Sequence, residues 1–126
     1  MKTILFFSGL IILIVFLNVN LCHSVLNEDD AIDAIVGEAS NQSYDTMVCV
    51  AHGIRNRGNL KGVYGVNASH NDSEPEWVWL SARDAWNESL AEKDTVNGAK
   101  NWGTLDDLEK LGVTAYKANC GDLYFY

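Results

Sequence analysis

A run of apolar residues at helical spacing, Ile32, Ile35, Val36 and Ala39, is the strongest constraint on the fold. The spacing predicts a helix over about Glu28 to Ser40 that buries one face in a core. Glu28, Asp29 and Asp30 stand in its first turn, where the helix dipole favours negative charge. Glu38 disturbs the separation of apolar and charged faces. On a helical wheel it falls beside Ile35 and Ala31, away from Asp30 and Asp33. A carboxyl against apolar surface resists ionising, so it can hold a proton to donate near neutral pH. The alternative is a flank glutamate whose stem covers apolar surface while its head reaches water. Taken alone, the helix favours that alternative, because perturbed carboxylates also occur in structural networks.

The residues ahead of this helix read as a secretory signal peptide. Lys2 precedes an apolar stretch from Ile4 to Leu17, interrupted only by Ser8 and Gly9, and Asn18 to Ser24 is more polar. The stretch is about 14 residues, short of the roughly 20 needed to span a bilayer. Cys22 and Ser24 supply small residues for cleavage before Val25, and Leu21 is too large for the position before an acylated cysteine. Residues 1–24 are therefore expected to be removed, leaving residues 25–126 as one secreted or periplasmic domain of 126 − 24 = 102 residues. Loss of Lys2 takes the net charge from −8 to −9. An acidic surface argues against nucleic acid and gives no attraction to anionic membranes. No stable membrane insertion is expected after cleavage, and the chain is read as a monomer.

Cys49 and Cys120 remain after cleavage. An even pair in a small secreted domain suggests a disulfide; two buried thiols are the alternative. No cofactor and no metal are implied, because the cysteines and scattered histidines lack ligand spacing.

Further elements follow from local signals. Ser43 is expected to cap a second helix over about Tyr44 to Asn56, with Met47, Val50, Ala51 and Ile54 facing the core. Gly58 to Asp72 reads as a loop. Ser73-Glu74-Pro75-Glu76 reads as a capping-box start to a third helix ending near Lys93, on which Trp79 and Trp86 share a core face. Thr104 and Asp107 cap a short helix that ends at Gly112. Val113 to Ala118 and Leu123 to Tyr126 are expected to pair as a hairpin about Asn119-Cys120-Gly121-Asp122. The fold class is α+β: a single, mostly helical domain with a small C-terminal β-hairpin or sheet. Four sequons, at Asn41, Asn67, Asn71 and Asn87, matter only in a host that glycosylates secreted proteins.

Several of these pieces stand in a familiar order. Gly37-Glu38-Ala39 ends the first helix; Val50-Ala51 and Asn56-Arg57 lie on the second; Gly62-Val63-Tyr64-Gly65 follows in the loop. Then come Ala82-Arg83-Asp84-Ala85, Asn97-Gly98-Ala99 with Trp102, and the closing Phe125-Tyr126. The chain resembles the cell wall hydrolase family typified by the catalytic domain of the spore cortex-lytic enzyme, the SleB type, which also occurs in phages. The resemblance covers about Ala31 to Tyr126. It implies a lysozyme-like fold of two small lobes around a cleft. The implied activity is cleavage of the β-1,4 bond after muramic acid in peptidoglycan glycan strands, often by lytic transglycosylation. Glu38 matches the family's catalytic glutamate. Asn56 is expected to close its helix and position the following loop.

Cleaving a glycosidic bond needs a proton on the leaving oxygen, and the general template adds a second carboxylate. No second acid lies in a comparably apolar setting; Asp45 and Asp94 read as cap or loop acids. A lytic transglycosylase needs no such partner, since the sugar's own 6-hydroxyl attacks and Glu38 serves first as acid and then as base. Tyr64, Trp102, Tyr124 and Asn97 are the candidates for binding sugar, being aromatic or amide groups in loops or near strand ends. The sequence departs from the family in Lys100 after the Asn97-Gly98-Ala99 turn, in its acidic surface and in a short loop after Tyr64. Two other readings remain at this stage. One is an inactive secreted glycan-binding or inhibitory module on the same fold. The other is an unrelated disulfide-stapled protein in which Gly37-Glu38-Ala39 is coincidence.

Overall fold

The computed structural model describes residues 26–126; the expected signal peptide lies outside them. Three helices form the body: α1 (Glu28–Ala39), α2 (Tyr44–Arg57) and α3 (Glu76–Ala91). A strand β1 (Trp102–Gly103), a short helix α4 (Leu105–Leu111) and strands β2 (Ala118–Cys120) and β3 (Leu123–Phe125) complete it. Asn27 caps α1 by accepting from the amides of Asp29 and Asp30, and Ser43 caps α2 by accepting from the Thr46 amide. Thr104 and Asp107 form a reciprocal capping box on α4, which closes at Gly112 with φ of 71°. Among the described residues no helix is long and apolar enough to cross a membrane.

The core lies where the three helices meet. Ile32, Ile35 and Val36 of α1 pack with Met47, Val50 and Ile54 of α2 and with Val78, Ala82 and Trp86 of α3. Trp86 is buried and Trp79 partly so, as their shared face requires. Arg55 lies 3.6 Å over the Trp86 ring and donates to Ser89 Oγ at 2.6 Å and to the Trp86 carbonyl at 2.7 Å. Its stem and guanidinium thus join α2 to α3 instead of simply facing the helix dipole.

The sheet is antiparallel in the order β1-β3-β2, so β1 adds a third strand to the expected hairpin. Trp102 pairs with Phe125, and Cys120 with Leu123. The fully buried Phe125 anchors the sheet to the helical core. Three expectations need correction. The segment from Val113 is not strand until Ala118. The third helix stops at Ala91 and begins without a capping box: Ser73 belongs to a 3-10 turn (Asn71–Ser73) and its hydroxyl donates to the His70 carbonyl, so Pro75 stands at the cap with no side-chain bond. Within the 58–72 loop a second 3-10 turn, Tyr64–Asn67, packs on α1.

Cys49 of α2 and Cys120 of β2 form a disulfide, with Cα atoms 6.5 Å apart and a separation of 71 positions in sequence. Closing a loop of that length stabilises by about 4 kcal/mol in the chain-entropy account. For the chain lacking residues 1–24, thiol titration is expected to find no free thiol. The Cys49→Ala, Cys120→Ala double variant is expected to lose stability on that order in urea unfolding. Two titratable thiols in the wild type would refute the pairing.

His52 of α2 is buried beside Asp94. Burial pushes its imidazole below the ordinary value near 6.5, against the pull of Asp94, whose Oδ1 is 4.0 Å from Nδ1. Burial also raises Asp94. The amides of Val96 and Gly98, the Asn56 side chain and His52 outweigh it, leaving Asp94 below the ordinary 3.8. Below about 6.5 the unfolded imidazole takes a proton that the folded one refuses, so stability falls as pH drops through that value. The Asp94 contribution is present above 3.8 and is lost only below it. Urea midpoints are expected to decline from pH 7 to pH 5, and more shallowly in His52→Gln. An equal decline in the variant would remove His52 as the cause.

Candidate active site

The site begins with two glycines. A Cβ on Gly37 would lie 2.0 Å from the Gly65 carbonyl oxygen, and one on Gly65 would lie 2.6 Å from the Ala34 carbonyl oxygen and 2.8 Å from Glu38 Cγ. Only glycine at both positions lets the Tyr64–Asn67 turn lie directly on the backbone of α1. The buried Asn71 holds it there: Nδ2 donates to Gly65 O at 2.8 Å, Asp33 Oδ1 at 2.7 Å and Asp33 O at 3.3 Å. The Asn71 sequon asparagine is therefore engaged inside the fold.

This crossing delivers a donor to Glu38. The Gly65 amide donates to Glu38 Oε1 at 3.1 Å. From the other side the Trp102 indole Nε1 donates to Oε2 at 3.3 Å. Glu38 is half-buried, and both oxygens are held while the carboxyl still borders open space. That space is a cleft of about 940 Å³ between the α1 end, the 58–72 loop and the sheet with α4. Glu38, Tyr64 and Trp102 line it together; Tyr64 stands almost free at the rim, 89% exposed.

Two other proposed sugar-binding residues lie elsewhere. Tyr124 is not part of the lining, because strand alternation puts it opposite the buried Leu123 and Phe125, where its ring meets Tyr116 edge-on at 4.9 Å. Asn97 is also outside the cleft: at φ of 51° it turns the loop, and its side chain donates to the Lys117 carbonyl. Asn56 does not order the loop that follows its helix. Its amide donates at 3.0 Å to both Asp94 Oδ2 and the Ala99 carbonyl, fixing the loop that leads into β1.

The cleft contains groups that local pattern did not single out. Arg57 donates to the carbonyls of Lys61 and Lys100 and to Asn101 Oδ1, tying the 58–72 loop to the start of β1. Gln42 and Asp122 meet across 80 residues of sequence: Gln42 Nε2 donates to Asp122 Oδ2 at 3.1 Å, and the Asp122 amide to Gln42 Oε1 at 3.2 Å. Neither Asp45 nor Asp94 reaches the cleft; Glu74, Asp107 and Asp122 are its acids besides Glu38. The Thr104 amide and hydroxyl hold Asp107 below the usual carboxylate range, so it stays ionised. Glu38 alone among these acids receives two N–H donors from two separate elements.

No protein-family model matches the sequence, and neither does any curated protein. The fold does have solved counterparts. One is the catalytic domain of the germination-specific lytic transglycosylase SleB from Bacillus anthracis, with TM-score 0.56 and 17% identity, covering 82% of this chain and 97% of that one. Another is the catalytic domain of the Bacillus cereus SleB protein, with TM-score 0.56 and 18% identity, covering 82% and 92% of the two chains. The chain thus has the α+β fold of SleB catalytic domains.

Gly37→Ala is expected to separate turn from helix. Overpacking there should cost about 1–3 kcal/mol in unfolding free energy, and the Gly65 amide should lose protection from hydrogen exchange. Unchanged protection at Gly65 would show that the crossing tolerates a methyl group.

Proposed function

We propose that the chain is a secreted peptidoglycan-cleaving glycosidase of the lytic transglycosylase type, in which Glu38 is the acid and then the base. The observation that carries this reading is the carboxyl of Glu38, gripped at both oxygens and opening on the cleft, in a fold shared with SleB catalytic domains. Residues 1–24 would direct export, and the Cys49–Cys120 disulfide suits an oxidising compartment.

The steps balance on one carboxyl. Protonated Glu38 gives its proton to the bridging oxygen as the bond from C1 of the muramic acid unit breaks, relieving that oxygen of its charge. The 6-hydroxyl of the same sugar then bonds to C1, and the Glu38 carboxylate takes the hydroxyl proton. The enzyme returns to its starting state, and the product carries a 1,6-anhydro ring. No second carboxylate is consumed in this route, which fits a cleft in which Asp107 is committed to its helix cap and Asp122 to Gln42, leaving Glu74 as the remaining acid of the lining. The faces of Tyr64 and Trp102, on the cleft lining, offer apolar surface to the sugar rings.

Purified protein is expected to release soluble fragments from peptidoglycan. Glu38→Gln keeps the size of the side chain and one of its two acceptor oxygens but carries no transferable carboxyl proton. Its rate should fall by about a hundred- to ten-thousandfold. Release at the wild-type rate by Glu38→Gln would overturn the assignment.

A further inference from the structure

We propose that Trp102 is a positioning residue for Glu38, acting through its indole N–H. This rests on the reading of Glu38 as the proton donor, and it gives Trp102 a role beyond that of a sugar platform. The ring is wedged between two helices. Its benzo edge rests on α2 at Gly53, where a Cβ would come within 2.9 Å of Cε3 and Cζ3, and its face lies near Phe125 at 6.1 Å between centroids. The opposite edge carries Nε1, which reaches Glu38 Oε2 on α1. Next to it in sequence, Asn101 exchanges backbone hydrogen bonds with Tyr126 at 3.0 and 2.9 Å, so the backbone that carries the indole is fixed as well.

Gly53 is therefore part of the device although it lies behind the ring. In the middle of a helix glycine costs up to about 1 kcal/mol relative to alanine, and here its missing side chain is the space that the indole fills. A larger residue would drive the ring toward the cleft and shift Nε1 off Glu38.

An indole N–H can donate but cannot accept. Its bond to Glu38 strengthens as the carboxyl gives up its proton and becomes charged. Together with the Gly65 amide it presents two donors, already oriented, to the group on which charge develops during proton transfer. Trp102 thereby favours the transition state over the bound substrate, which predicts a loss in kcat and not in KM.

The test uses soluble glycan fragments as substrate. Trp102→Phe retains an aromatic face and lacks the donor: kcat should fall about ten- to a hundredfold, the size of a lost hydrogen bond to a charged group, with KM within about twofold. Gly53→Ala should give the same signature without touching substrate. A raised KM with kcat retained in Trp102→Phe would make the ring a sugar platform and overturn the proposal. A second readout needs no activity. The Trp102 indole signal, assigned in a ¹H–¹⁵N spectrum by its loss in Trp102→Phe, should move upfield in proton shift in Glu38→Gln. An unmoved signal overturns the positioning role even if the wild type proves inactive; inactivity with a moved signal counts only against the proposed function.

Discussion

The site depends on backbone lying on backbone. Without side chains at Gly37 and Gly65, a 3-10 turn approaches the end of α1 closely enough for its amide to reach a carboxylate on that helix. Everything near Glu38 is arranged around that approach. Asn71 clamps the turn with three bonds from one amide nitrogen, and the buried stripe of α1 presses the same helix onto α2 and α3.

The second support comes from the other end of the chain. β1 is two residues long and has as its strand partner β3, whose Phe125 is fully buried. β2 is joined to α2 by the disulfide, and the turn after it by Gln42 and Asp122. Gly121 permits that contact: at φ of 56° its backbone approaches Gln42 and Thr46 where a Cβ would be 2.6 Å from Gln42 Oε1. The chain of contacts from Cys49 through β2, β3 and β1 to the Trp102 indole ends on Glu38.

Much of the helical frame could be read locally. The stripe of α1, the Ser43 cap of α2 and the Thr104–Asp107 box of α4 each depend on residues within a few positions of one another, and each formed as expected. Glu38, Tyr64 and Trp102 come together in one cleft. What was not legible depends on partners far apart in sequence: Gln42 with Asp122, Arg57 with Asn101, Asn71 with Asp33. A two-residue strand has no period to detect, so β1 was missed. The misplacement of Tyr124 has a related cause. Its neighbours Leu123 and Phe125 turn inward, and alternation then sends Tyr124 away from the cleft. At Ser73 a local motif was present, but the Asn71–Ser73 turn captured its hydroxyl for His70.

The central claim is that one well-held carboxyl suffices for both proton steps. Mass spectrometry of fragments released from purified peptidoglycan by the wild-type protein tests it most directly. The expected fragments end in 1,6-anhydromuramic acid, because the sugar's own hydroxyl replaces water. Fragments with ordinary reducing ends would mean that water attacks and that a second group in the cleft assists it, contradicting the one-carboxyl mechanism.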